Sequence, residues 1–109
     1  MTVLTRGQIQ PGVIGIDTTV KSASGLWRSF APTWPMVTGW KRGDLIWEQY
    51  VAQYGAILAR VPDVAWNTLA AQPEVRLLCY CRDGVPCHTH LIIDYAVATR
   101  PDRFRDGRK

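Results

Sequence analysis

All three cysteines and both histidines of this chain fall in one stretch, Cys79-x-Cys81-x5-Cys87-His88-x-His90. Those residue types at that spacing support three chemistries. Two thiols on one strand face, with Cys87 and His90 one helical turn apart, can close a tetrahedron around zinc, so Cys79, Cys81, Cys87 and His90 are the candidate metal ligands. The spacing is not that of a finger or ribbon, where paired-cysteine knuckles recur. Alternatively, Cys79 or Cys87 is a nucleophile with His88 as its base, because a thiol near a helix N-terminus and a histidine ionises readily. In the third reading the thiols are inert and buried beside a binding site, as free cysteines commonly are. A phosphatase-type loop needs an arginine six residues after its cysteine. Val85 stands six after Cys79 and Cys87 six after Cys81, with Arg82 nearby but out of register, which argues against phosphate-ester cleavage.

The elements that must position these groups are a strand and a helix. Val75 to Cys81 is a short apolar run between Pro73 and Arg82-Asp83-Gly84, read as a buried strand with Leu77, Cys79 and Cys81 on one face and Leu78 and Tyr80 on the other. After Pro86 the pattern turns helical, with Leu91, Ile92, Tyr95, Ala96 and Thr99 at three- and four-residue steps. The thiols thus leave the end of a strand and Cys87, His88 and His90 open the next helix, the place where open α/β sheets collect ligands and where free N–H groups attract anions.

Upstream, Val13–Val20 is rich in β-branched residues and reads as the first clear strand, with Asp17 a ligand contact or turn-former. The stretch Trp27–Lys41 carries two prolines and a glycine and no clean aromatic period, so it reads as an irregular loop. Its tryptophans serve either core packing or a stacking wall for a planar ligand, with Lys41 or Arg28 near the ligand's charge. Asp44 is the expected N-cap of the strongest helix, whose apolar stripe is Trp47, Tyr50, Val51, Tyr54, Ile57, Leu58 and Val61. Pro62 closes it, and a short helix follows to Ala71. Two strands make too small a sheet, so further strands are expected at Thr2–Leu4 and Met36–Trp40. The fold class this implies is α/β: a small Rossmann-like three-layer domain with a short, mainly parallel sheet.

At 109 residues the chain is one domain, read as 1–99, with 100–109 a basic C-terminal tail. That tail holds five basic and two acidic side chains of a molecule whose net charge is +4. A solvated or frayed tail is the plain reading; with only Phe104 interleaved, nucleic acid is a poor fit as partner. Three clustered cysteines do not make a secreted disulfide framework, and neither a leader nor a bilayer-length apolar run is present, so a cytoplasmic location and no membrane partner are expected.

Two stretches together resemble a known family. Phe30-Ala-Pro-Thr-Trp34, followed by Met36-Val37 and Gly39-x-Lys41-x-Gly43, and Leu77-Leu-Cys-Tyr-Cys81, followed by Cys87-His88, are similar to motifs of short members of the domain of unknown function 488 family. Glu48-x-Tyr50 and Tyr54 fit between them, and the resemblance spans roughly residues 13–98. It implies a small Rossmann-like α/β fold and shared positions at Phe30, Pro32, Thr33, Trp34, Met36, Lys41, Cys79, Cys81, Cys87 and His88. The chain departs at Thr89, where the motif usually has arginine; if that arginine grips an anion in relatives, the role is vacant here or is taken by His90 or Arg82. Short relatives also look at home in phage genomes, which would place the protein in a host cytoplasm, sequestering a signalling nucleotide.

The leading expectation is a domain that binds a small anionic or nucleotide-like ligand between Phe30–Lys41 and Cys79–His90. Phe30, Thr33, Trp34 and Met36 would line the site, Lys41 and Arg82 would supply charge, and His88 and His90 hydrogen bonds. The alternatives are the cysteine-dependent enzyme using Cys79, Cys87 and His88, and a zinc-stapled interaction module. No cofactor other than zinc is called for, and a homo-oligomer is compatible with the sequence.

Overall fold

The computed structural model describes residues 1–82 and 84–108. Asp83 of the expected loop and Lys109 of the expected tail lie outside the described residues. Four strands form one all-parallel sheet: β1 (Thr2–Gln8), β2 (Ile16–Asp17), β3 (Glu74–Cys79) and β4 (Phe104–Asp106), in the order β2-β3-β1-β4. A 3-10 segment (Gly25–Phe30) and the helices α1 (Trp34–Arg42), α2 (Trp47–Leu58) and α3 (Asp63–Ala70) connect β2 to β3. Helix α4 (His88–Thr99) connects β3 to β4, reaching across β1. This is the expected small Rossmann-like α/β domain. Parallel strands need long crossovers, and the long apolar stripes between the strands supply them.

Leu4, Val75 and Leu77 point from the two central strands into a core closed by Tyr54, Leu58, Trp66, Leu69, Ile92, Ile93 and Phe104. Trp66 is its largest buried side chain, with Phe30 edge-on at 5.1 Å and Phe104 at 6.1 Å between ring centres. On α2 the buried stripe is Tyr50, Tyr54 and Leu58, continued by Val61 in the following turn, whereas Val51 of the expected stripe is 38% exposed.

Four local expectations are corrected. Met36–Trp40 is helical and not a strand, and the presumed loop around it is the 3-10 segment and α1. Thr33 Oγ1 accepts from the Met36 N–H at 3.3 Å, and Pro35 sits in the first turn, where its missing N–H costs no hydrogen bond. Gly43, at φ 82°, then ends α1 in the left-handed conformation. Asp44 does not cap α2: Ile46 occupies that position, its N–H donating to Gln49 Oε1 at 3.0 Å, while Asp44 pairs with Arg42 on the surface. Of Val13–Val20 only Ile16 and Asp17 join the ladder. The backbone at Gly15 passes so close to β3 that a Cβ there would lie 2.5 Å from the Arg76 carbonyl oxygen, and the strand begins only beyond it. Strand β3 itself stops at Cys79, short of the expected Cys81.

The chain end also differs from a frayed tail. Residues 104–106 pair with β1, Phe104 is 1% exposed, and the Gly107 N–H donates to the Leu4 carbonyl at 2.8 Å. Arg108 clamps the segment down, with Nη2 2.5 Å from Asp94 and 2.7 Å from Asp106. One buried phenylalanine and a few backbone bonds outweigh the solvation of the charges around it, which remain at the surface.

Candidate active site

Cys79 is the last residue of β3, at the carboxyl edge of the sheet. Cys87 is the N-cap of α4 and His88 its first residue, so strand end and helix start bring their sulphur atoms together. The Cys87 thiol donates to Cys79 Sγ at 2.9 Å, and all three cysteine sulphurs lie within 4.8 Å of one another. Cys79 and Cys87 are buried and Cys81 is half-exposed; none forms a disulfide.

Sequence reasoning missed the group that completes the cluster. Arg6, on β1, donates from Nη2 to Cys79 Sγ at 3.0 Å and to the Cys81 carbonyl at 3.0 Å, and from Nε to Thr89 Oγ1 at 3.1 Å. The cation beside the thiols is neither Arg82 nor His90 but comes from the neighbouring strand, and Thr89 is one of its anchors. Hydrogen bonds from the Cys81 and Cys87 thiols and from Arg6 hold the Cys79 thiol far below the usual thiol range. The Cys81 and Cys87 thiols are pushed up, chiefly because their protons are engaged with Cys79. Of the three thiols, Cys79 is the one whose surroundings favour the ionised form.

His88 does not face Cys79. Thr18 Oγ1 donates to the Leu78 carbonyl at 3.0 Å, so His88 Nε2, at 2.8 Å from Thr18 Oγ1 and 3.1 Å from the Thr18 carbonyl, carries the proton. Nδ1 is thereby left as an acceptor, 3.6 Å from Cys87 Sγ. Burial pushes the imidazole down to about 4, so it is neutral at pH 7. His90 lies outside the cluster, with Nδ1 3.1 Å from Arg108 Nη1. The three thiols can hold a metal ion, but the expected fourth ligand does not join them.

The cluster floors a cavity of about 430 Å³. Trp34, Val37, Trp40 and Lys41 of α1 form one side, Trp47 and Tyr50 of α2 another, and Tyr80, Lys21 and Pro86 the rim. The aromatic wall runs from Trp40 to Trp47 at 5.1 Å and on to a nearly parallel Tyr50 at 4.9 Å, and behind it the core residue Tyr54 lies 6.2 Å from Tyr50 and 5.7 Å from His88 between ring centres. At the mouth Asp17 accepts from Thr19 and Ser22, Ser22 Oγ is 2.9 Å from the Tyr80 hydroxyl, and Lys21 sits over the Tyr80 ring at 5.4 Å. Asp17 is a turn-former, as one of its two expected roles had it.

Of the expected lining residues, Trp34, Lys41 and His88 reach the cavity. Phe30 and Met36 are core residues, 0% and 3% exposed, and Thr33 is spent on capping α1. Arg82 and His90 do not line it, and Arg28 turns to the Ala23 carbonyl.

Residues 11–98 match the family model described as the active DUF488-N3 subclade. The chain belongs to the DUF488 family. No curated protein and no solved structure matches it. In this DUF488 domain the matched region takes in β2, β3, α1 to α3 and all but the last residue of α4, and leaves out β1 and β4. Arg6 therefore stands outside the matched residues while its guanidinium bonds to three matched ones, Cys79, Cys81 and Thr89. Among the described residues no helix is long and apolar enough to cross a membrane.

Proposed function

We propose that this DUF488 domain is a cysteine-dependent enzyme in which Cys79 is the nucleophile and the aromatic cavity holds a small, flat, anionic substrate. The observation that carries this reading is the Arg6 guanidinium 3.0 Å from Sγ of Cys79, a thiol that lines that cavity. A charge-assisted bond of this kind favours the thiolate, which is the reactive form. Cys79 needs no general base while Arg6 and two thiols hold its charge, and the neutral His88 is placed to serve Cys87. Trp34 and Trp40 offer stacking surface, and Lys41 and Lys21 complement negative charge at the mouth; a nucleotide-like molecule has the required shape. The description of the matched subclade as active agrees with a working nucleophile.

The test is iodoacetamide labelling at pH 6 with the modified residue located by peptide mass. Cys79 is expected to react first and faster than a free thiol. Primary labelling of the half-exposed Cys81, at the rate of an ordinary cysteine, overturns the assignment.

One observation favours a second reading. Three thiols whose sulphurs lie within 4.8 Å match a zinc site with three protein ligands and a position open toward the cavity. Native mass measurement of protein prepared without a metal-affinity step decides it: a zinc adduct lost on denaturation supports the metal, and a bare mass removes it.

A further inference from the structure

Cys79 has a neighbour that a one-thiol mechanism leaves without a task. A second buried thiol in contact with a nucleophile would attack any sulphur adduct formed there. Cys87 has that placement: its Sγ is 2.9 Å from Cys79 Sγ, within about an ångström of bonding distance. The acceptor nitrogen of His88 faces Cys87 at 3.6 Å, on the side where a proton must leave when Cys87 attacks.

We propose that Cys79 and Cys87 form a two-thiol relay that reduces a small disulfide with an aromatic, anionic organic part. The proposal rests on Cys79 being the attacking thiolate. In the first step Cys79 Sγ bonds to one sulphur of R–S–S–R, the substrate S–S bond breaks, and one R–S⁻ departs. In the second step Cys87 Sγ bonds to Cys79 Sγ, and the bond to the remaining R–S group breaks. The Cys87 proton passes to His88 Nδ1 and on to the departing sulphur, which leaves as R–SH. The two protein sulphurs have supplied two electrons and become a Cys79–Cys87 disulfide. An external dithiol, oxidised in turn, restores both thiols. The aromatic wall suits the organic part of the substrate, and Lys21 and Lys41 suit its carboxylates.

The half-exposed Cys81 would compete in an assay, so the test uses the Cys81→Ser protein. It receives one equivalent of 5,5′-dithiobis(2-nitrobenzoate), an aromatic disulfide bearing carboxylates. Both halves of the reagent are expected to appear as coloured thiolate, the second at a rate independent of reagent concentration. Peptide mapping should then find Cys79 joined to Cys87, and dithiothreitol should regenerate the starting protein. 4,4′-Dithiodipyridine, an activated aromatic disulfide without carboxylates, should show about a tenfold smaller rate advantage over free cysteine, for want of the contacts with Lys21 and Lys41. In Cys81→Ser/Cys87→Ser only one half should be released, the other remaining on Cys79. If the Cys81→Ser protein also keeps half of the reagent on Cys79, the relay is wrong while the nucleophile stands. If neither protein releases the first half faster than free cysteine does, the nucleophile fails and the relay with it. Should the double variant not fold, the mapped disulfide in the Cys81→Ser protein decides alone: its presence supports the relay and its absence overturns it.

Discussion

Arg6 on β1 places its guanidinium 3.0 Å from the sulphur of Cys79 on β3, so a buried thiol of one central strand meets the cation of its neighbour. The strands are in register with Arg6 opposite Leu77 and Gln8 opposite Cys79, and only a side chain as long as arginine bridges that offset while also reaching Thr89 on α4.

Removing that cation should slow Cys79. A charge-assisted hydrogen bond contributes roughly 1.5–3 kcal/mol, so Arg6→Leu should lower the rate of Cys79 alkylation at pH 6 by about ten- to hundredfold. Arg6→Lys, which keeps the charge but loses the fork, should retain part of the rate. An unchanged rate in Arg6→Leu would assign the activation to the neighbouring thiols alone.

Acid should destabilise the fold through His88. Its pKa in the folded protein is about 4, below the ordinary value of 6.5, so the unfolded chain binds the extra proton between those limits. Stability is therefore complete above about pH 6.5 and falls as pH drops toward 4, by about 3 kcal/mol for this one group. Unfolding midpoints measured from pH 7 to 4.5 should fall more steeply for the native protein than for His88→Gln, and parallel curves would remove His88 as the cause.

Two tryptophans should separate binding from folding. Trp34 is 52% exposed at the cavity, so Trp34→Ala should leave the unfolding midpoint nearly unchanged while weakening the reaction with anionic aromatic reagents. Trp66 is 1% exposed at the centre of the core, and Trp66→Ala should cost about 3–5 kcal/mol. Denaturant titration together with thiolate release distinguishes them.

The chain end should matter to stability. Phe104→Ala, which empties a buried position beside Trp66, should cost about 3–5 kcal/mol, and a chain ending at Arg100 should lose more because β1 then has a bare edge. A truncated protein with native stability would contradict the role of β4.

The site's two organising elements were legible because their signals are local. The apolar run ending at Cys79 and the helical spacing from Ile92 to Ala96 each announce an element, and together they put thiols and His88 at one edge of a sheet. Helix α2 was legible for the same reason. Helix α1 was not, since Pro32 and Pro35 read as breakers when they flank and open a first turn. Strand β4 was hidden because three residues, two of them charged, carry no period, and their partner lies at the other end of the chain. The expected strand Thr2–Leu4 ends short of Arg6 and leaves the arginine outside the sheet, whereas β1 runs on to Gln8. Extended to Gln8, the strand would hold an arginine in a central parallel strand, and such a residue calls for an anion nearby.

The position of β1 between β3 and β4 has a bearing on how the protein comes into being. The first strand of the chain finds both of its partners in the last third, so its hydrogen bonds close loops of nearly the whole domain and form late and slowly. Until they form, Arg6 is far from Cys79, and the three thiols of a nascent or unfolded chain are ordinary cysteines. With Cys79 as the proposed nucleophile, its labelling is a clock for the closing of the sheet, and a pulse during refolding would time the moment at which the two ends of the chain meet.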